Sequence, residues 1–245
     1  MYNMNMPVRN RIKEYSANTV YHIYNRGIDG REIFPQEEDY EQYLKTLESY
    51  LTEMKSDQNT IYKQEKPYIR RHKEKMNLSK DIEMLAFCLM PDHFHLMVWQ
   101  KYPEGIRDLM RRTLTYYVMY YNKKYKRTGP LFENVYRAVV VPEGERLVWM
   151  SKYIHLSPVS RQVKRYGLVE TVTGSLPEYY MYSSYGNYIT EGGRGVVGGM
   201  VKPERVLRSF KTSALGKKHL RYRNFVEDKN TNWGEVLGDL VIEKL

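Results

Sequence analysis

Phe87-Cys88-Leu89-Met90-Pro91-Asp92-His93-Phe94-His95-Leu96-Met97-Val98-Trp99 is an apolar run broken by a Pro-Asp turn signal and then by two histidines one residue apart. It reads as a strand over Met84–Met90, a turn at Pro91-Asp92 and a second strand over His93–Trp99. So short a connection joins antiparallel neighbours. Side chains alternate across a strand, so His93 and His95 project together while Phe94 and Leu96 point to the other face. Two imidazoles held in this way can grip one metal ion. The same spacing also suits two packed or solvent-facing histidines, and spacing alone does not choose between them.

Working outward, Val20–Gly27 is β-branched and aromatic and ends at a glycine, which makes it a strand. His22 within it reads as a packed or exposed strand residue rather than a ligand. Tyr40, Tyr43, Leu44, Leu47 and Leu51 recur at three and four residues, predicting an amphipathic helix over Glu37–Met54. A second helix follows Pro103, with Ile106, Leu109, Met110, Leu114, Tyr117, Val118 and Tyr121 on its core stripe and Arg107, Arg111 and Arg112 forming a basic edge. Lys123–Gly129 reads as a basic turn, Tyr136–Val141 as a short strand, and Glu145–Leu156 as a helix ended by Pro158. Strand, helix, strand, strand, helix, strand is the split βαβ order of an α+β, ferredoxin-like antiparallel sheet with helices on one face and one helix added.

The expected organisation is an N-terminal arm over 1–19, a main domain over 20–165 and an extension over 166–245. The main domain carries an inserted, apolar-poor segment at 55–82 that contains Arg70-Arg71-His72-Lys73. The extension holds an aromatic, turn-rich part, a Gly-rich linker at 191–203 and enough helical pattern for a small C-terminal helical appendage. The lone cysteine, Cys88, lies in an apolar strand and reads as a core residue. No run approaches the roughly 18 apolar residues of a membrane span, and Met1–Arg11 lacks a signal-peptide core, so a cytoplasmic protein with no membrane partner is expected.

The formal charge is +10, and residues 101–165 carry fourteen basic against five acidic side chains. Residues 31–66 have the opposite balance, five basic and nine acidic. A basic half together with 24 tyrosines suits nucleic acid, where phosphates supply affinity and aromatic faces accept unpaired bases. Such charge runs also occur as solvated helix faces. On the added helix, Arg146, Tyr153 and Ser157 share one stripe beside a core stripe of Leu147, Met150 and Ile154. A phenol there can attack a phosphodiester polarised by a metal, although any one tyrosine of 24 is more commonly a packing residue.

Three blocks, Tyr21-His22-Ile23-Tyr24-Asn25-Arg26-Gly27, Phe87 to Leu96, and Tyr153-Ile154-His155-Leu156-Ser157-Pro158-Val159, resemble the signatures of the REP-associated tyrosine transposases. These are single-tyrosine transposases among the HUH endonucleases. Tyr182-Ser183-Ser184-Tyr185 is similar to a fourth block downstream. The resemblance implies the HUH endonuclease fold over 20–165. It also implies a metal-dependent endonuclease and strand-transferase acting on single-stranded DNA with hairpin structure. In that reading His93 and His95 hold a divalent metal, Mg²⁺ or Mn²⁺, and Tyr153 is the catalytic nucleophile that forms a 5′-phosphotyrosine intermediate. Relatives usually place Asn or Gln as a third ligand four residues after the tyrosine, where this chain has Ser157.

The side chains expected against DNA are Arg26, Arg107, Arg111, Arg112, Lys123, Lys124, Lys126, Arg127, Arg137 and Arg146. Val135 stands where relatives carry a basic residue, which shifts that expectation to Arg137. Ser157 favours an alternative, a single-stranded nucleic-acid-binding protein of the same fold with weakened or lost catalysis. A hydrolase using water as nucleophile is a third reading. A homodimer exchanging the tyrosine helix and a monomer using its own tyrosine both remain open at this level.

Overall fold

The computed structural model describes residues 14–53, 77–166, 180–190, 199–210, 215–228 and 236–237. Its elements are β1 (Thr19–Arg26), α1 (Glu37–Leu51), β2 (Ile82–Met90), β3 (His93–Gln100), α2 (Gly105–Lys124), β4 (Arg137–Val141) and α3 (Glu145–Tyr166). Beyond these come α4 (Tyr185–Ile189), α5 (Glu204–Leu207) and α6 (Leu215–Glu227). The strands form one antiparallel sheet in the order β2-β3-β1-β4, the ferredoxin-like arrangement expected from the order of elements.

Strand parity divides the core. Phe94, Leu96 and Val98 of β3 point towards α1 and α2, where Tyr43 lies 5.5 Å from Phe94 and meets Tyr117 edge to face at 5.1 Å. Each such fully buried aromatic or aliphatic side chain contributes about 1.5–3 kcal/mol relative to exposure. α1 starts with a capping box between Gln36 and Asp39. The buried Asp39 carboxylate also accepts from Tyr120, Lys124 and Tyr125, tying α1 to the end of α2.

α3, the added helix, crosses the opposite face of the sheet, with Leu147, Met150 and Ile154 buried as the stripe predicts. The exposed edge of β2 is closed by later segments. Leu89 donates to the Tyr182 carbonyl, Ser184 to that of Phe87 and Lys202 to that of Met84, at 2.8–3.0 Å.

Three expectations change. The third helix does not stop before Pro158 but runs to Tyr166 with the proline inside. Proline removes the N–H that would reach Ile154 and crowds that carbonyl, while the Ser157 hydroxyl, bonded to the Tyr153 carbonyl at 3.0 Å, adds a contact along the same turn. Lys123 and Lys124 belong to α2, not to a turn, because basic side chains suit a helix C-terminus; the turn starts at Tyr125. The Gly-rich stretch expected as a linker ends against the sheet, where Met200 and Val201 are buried and Val201 bridges Met84; its first part, 191–198, lies outside the described residues. So do residues 1–13 of the expected arm and most of the expected insertion, although β2 already begins at Ile82. No helix among the described residues is long and apolar enough to cross a membrane.

Candidate active site

His93 and His95 lie on the α3 face of β3, and the turn before them is held from outside. Gly27 donates to the Asp92 carbonyl at 2.7 Å, while Ile33 and Phe34 donate to that of Pro91 at 2.6 and 2.9 Å. Gly27 allows this close approach, since a Cβ there would stand 2.1 Å from the Arg31 carbonyl oxygen.

Both histidines have Nδ1 engaged. Asp92 Oδ1 lies 2.8 Å from His93 Nδ1, and His22 Nε2 lies 2.9 Å from His95 Nδ1. The two rings meet edge to face at 5.0 Å, both buried, and in each ring Nε2 is the nitrogen not used by these two bonds. Burial, with His93 and His22 adding to it, holds His95 well below the ordinary histidine range. The neutral imidazole that results is the form that binds metals.

Tyr153 of α3 completes the cluster. Its ring stands 5.6 Å from that of His95 and 6.2 Å from that of His22, both near-perpendicular. Its helix is fastened on both sides of it. Lys152 is buried, donates to the Asp228 carbonyl at 2.8 Å and lies over the rings of Phe225 and Trp149. His155, also buried, bonds Ser184 through Nε2 and Tyr222 through Nδ1.

Of the basic residues, Arg26 and Arg137 share the histidine face by register: Arg26 pairs with His93, and Tyr24 pairs with both His95 and Arg137. Arg146 is exposed at the start of α3, two turns before Tyr153. Arg107, Arg111 and Arg112 sit across the sheet on α2, in ion pairs with Glu104 or Asp108. Lys124 is bound to Asp39 at 2.7 Å; Arg127 bonds Asn122 and lies over the Tyr121 ring. Lys123 and Lys126 are exposed, and Val135 is 69% exposed. Ser157 is one turn beyond Tyr153, its hydroxyl turned to its own helix.

The sequence reading missed His22 as part of this cluster. Its alternation with Tyr24 and Arg26 was visible, but the register against β3 that brings it to His95 was not.

The site is thus a paired-histidine strand under a helix-borne tyrosine, on a ferredoxin-like sheet. Residues 16–157, more than half of the chain, match the family model described as "Transposase IS200 like", and the chain belongs to the IS200-like transposase family. The match runs from the start of the sheet to Ser157, and so takes in His93, His95 and Tyr153. A solved structure, "Structure of the REP associates tyrosine transposase bound to a REP hairpin", is similar over 80% of this chain and 94% of that one, at 11% identity and a TM-score of 0.44. No curated protein matches the sequence.

Proposed function

We propose that this transposase cleaves and rejoins single-stranded DNA through Tyr153. The observation that carries the reading is the packing of the Tyr153 ring against His95, on the sheet face that also carries His93. The phenol oxygen forms a bond to the scissile phosphorus as the bond from phosphorus to the 3′-oxygen breaks. The phenol proton passes to water and the departing oxygen takes one, leaving a 5′-phosphotyrosine and a free 3′-hydroxyl. A second 3′-hydroxyl reverses the step and joins strands, because the phosphotyrosine keeps the ester.

Two imidazoles with fixed Nδ1 partners fit a divalent cation, and Mn²⁺ accepts nitrogen more readily than Mg²⁺. Such a cation supplies Lewis-acid polarisation of the phosphate. Among the described residues no group of three His, Cys, Asp or Glu side chains is arranged to hold an ion, so water, phosphate oxygens and Ser157 are the candidates for the remaining positions. Arg26, Arg137 and Arg146 lie on the side from which a strand reaches Tyr153. The DNA class proposed is hairpin-bearing single strands. We assign residues 20–165 as the catalytic unit and 166–245 as its extension.

The test is incubation with hairpin-bearing single-stranded DNA and Mn²⁺. A covalent protein–DNA adduct that disappears in Tyr153→Phe and in His93→Ala supports the proposal. Binding without adduct identifies a nucleic-acid-binding module, and cleavage that survives Tyr153→Phe identifies water as nucleophile.

A further inference from the structure

His22 is a buried imidazole in the central strand β1, at a position where an apolar β-branched residue would pack without polar cost. Its ring stacks on His95 at 5.1 Å and on Tyr24 at 5.3 Å, and meets Tyr153 edge on. Its Nε2 lies 2.9 Å from His95 Nδ1, in the place that the Asp92 carboxylate takes beside His93. Only one proton can lie between two imidazole nitrogens.

If His95 is to present a lone pair at Nε2, its own proton must sit on Nδ1 and be donated to His22 Nε2. His22 then carries its proton on Nδ1, and that atom is buried with no hydrogen-bond partner. An orphaned buried donor costs about 1–3 kcal/mol. Keeping it at the centre of the sheet is unexplained by packing and explained by the bond on its other side.

The geometry points to His22 as a positioning residue: it accepts the Nδ1 proton of His95, fixing the tautomer and aiming Nε2 of His95 at the cation. This rests on the metal reading proposed above. The two histidines of the pair then have unlike supports, an anionic carboxylate for His93 and a neutral imidazole for His95. Partners of this kind fix ring orientation and raise ligand basicity.

Two substitutions separate this role from packing. His22→Phe keeps the ring and loses the acceptor; His22→Gln keeps an acceptor near the Nε2 position and loses the ring. With Mn²⁺ binding followed by electron paramagnetic resonance, and folding checked by thermal unfolding, His22→Phe is expected to weaken Mn²⁺ by about 10–100-fold. His22→Gln retains most of the affinity. The reverse order, or equal losses, overturns the proposal.

A measurement on the unaltered protein needs no variant to fold. With Mg²⁺ bound, ¹⁵N spectra of labelled histidines should show His95 protonated at Nδ1 and coupled across the hydrogen bond to His22 Nε2. A proton on His95 Nε2 in that state overturns the proposal. His93→Ala and His95→Ala serve as controls: if neither loses Mn²⁺, the metal reading itself fails, independently of His22.

Discussion

Tyr222→Phe tests whether the tyrosine helix is held by the C-terminal extension through one buried proton chain. One assignment satisfies every member: Ser184 O–H donates to His155 Nε2, His155 Nδ1–H to the Tyr222 oxygen, Tyr222 O–H to Ser151, and Ser151 O–H to the Val148 carbonyl. The distances are 2.8, 2.7, 2.9 and 2.6 Å, and Ser184 also accepts the Phe87 N–H of β2 at 2.8 Å. Phenylalanine keeps the ring contacts of Tyr222 with Tyr188, Phe210 and Phe225, so the substitution isolates the hydroxyl. It leaves the His155 Nδ1–H buried without an acceptor, while Ser151 keeps its own donation. The expected loss is about 2 kcal/mol, from the 1–3 kcal/mol of an unsatisfied buried donor. For a chain of this size that lowers Tm by about 4–8 °C. Urea unfolding of Tyr222→Phe in the native and His155→Phe backgrounds measures it, and the cost should fall by more than half in the second, where the orphaned group is absent. A loss below about 0.5 kcal/mol in the native background, or equal losses in both, would refute the chain as drawn.

Two further outcomes follow from buried polar groups. Asp39 accepts four hydrogen bonds while fully buried, so Asp39→Ala should cost about 3 kcal/mol, the lower end for a broken buried pair because Lys124 is partly exposed and rehydrates. Lys124→Met should cost less, since the carboxylate keeps its other donors, and denaturant midpoints that rank the two the other way would contradict this. Burial holds His22 and His155 each down to about 3, below the 6.5 of an exposed histidine. Between those values the unfolded chain binds protons that the folded one does not, so stability is full above about pH 6.5 and falls on acidification towards 3, by about 1.4 kcal/mol per pH unit for each histidine. Urea midpoints from pH 7 to 4 check the slope, which should be shallower in His155→Gln; a flat profile down to pH 5 would be incompatible with neutral burial.

The strands β1, β2 and β3 were legible from their apolar and aromatic runs and the turn signals between them, and α1 and α2 from three-and-four spacing. That made the ferredoxin-like order, the shared face of His93 and His95, and the stripe carrying Tyr153 readable from residues alone. Pairing was not. The bond from His22 to His95 depends on β1 lying beside β3 in one register, and strand register arises from the assembled sheet rather than from either strand. The sheet also separates groups that composition lumps together: the basic edge of α2 counted towards a nucleic-acid surface, yet Arg107, Arg111 and Arg112 stand on the far side from Tyr153. Pro158 misled because a breaker rule weighs the lost N–H and the steric strain, while the helix continues to Tyr166 with the proline inside.

The closure of β2 by distant segments carries a consequence for synthesis. The groups that cover its edge, Tyr182, Ser184 and Lys202, follow their partners by roughly a hundred residues and lie beyond the last strand of the sheet. As the chain leaves the ribosome, the sheet, both histidines and Tyr153 are complete while the backbone of Met84, Phe87 and Leu89 still faces solvent, a template for any other strand. The extension therefore acts as a late seal, and a nascent or truncated chain ending near residue 166 is the species most exposed to aggregation.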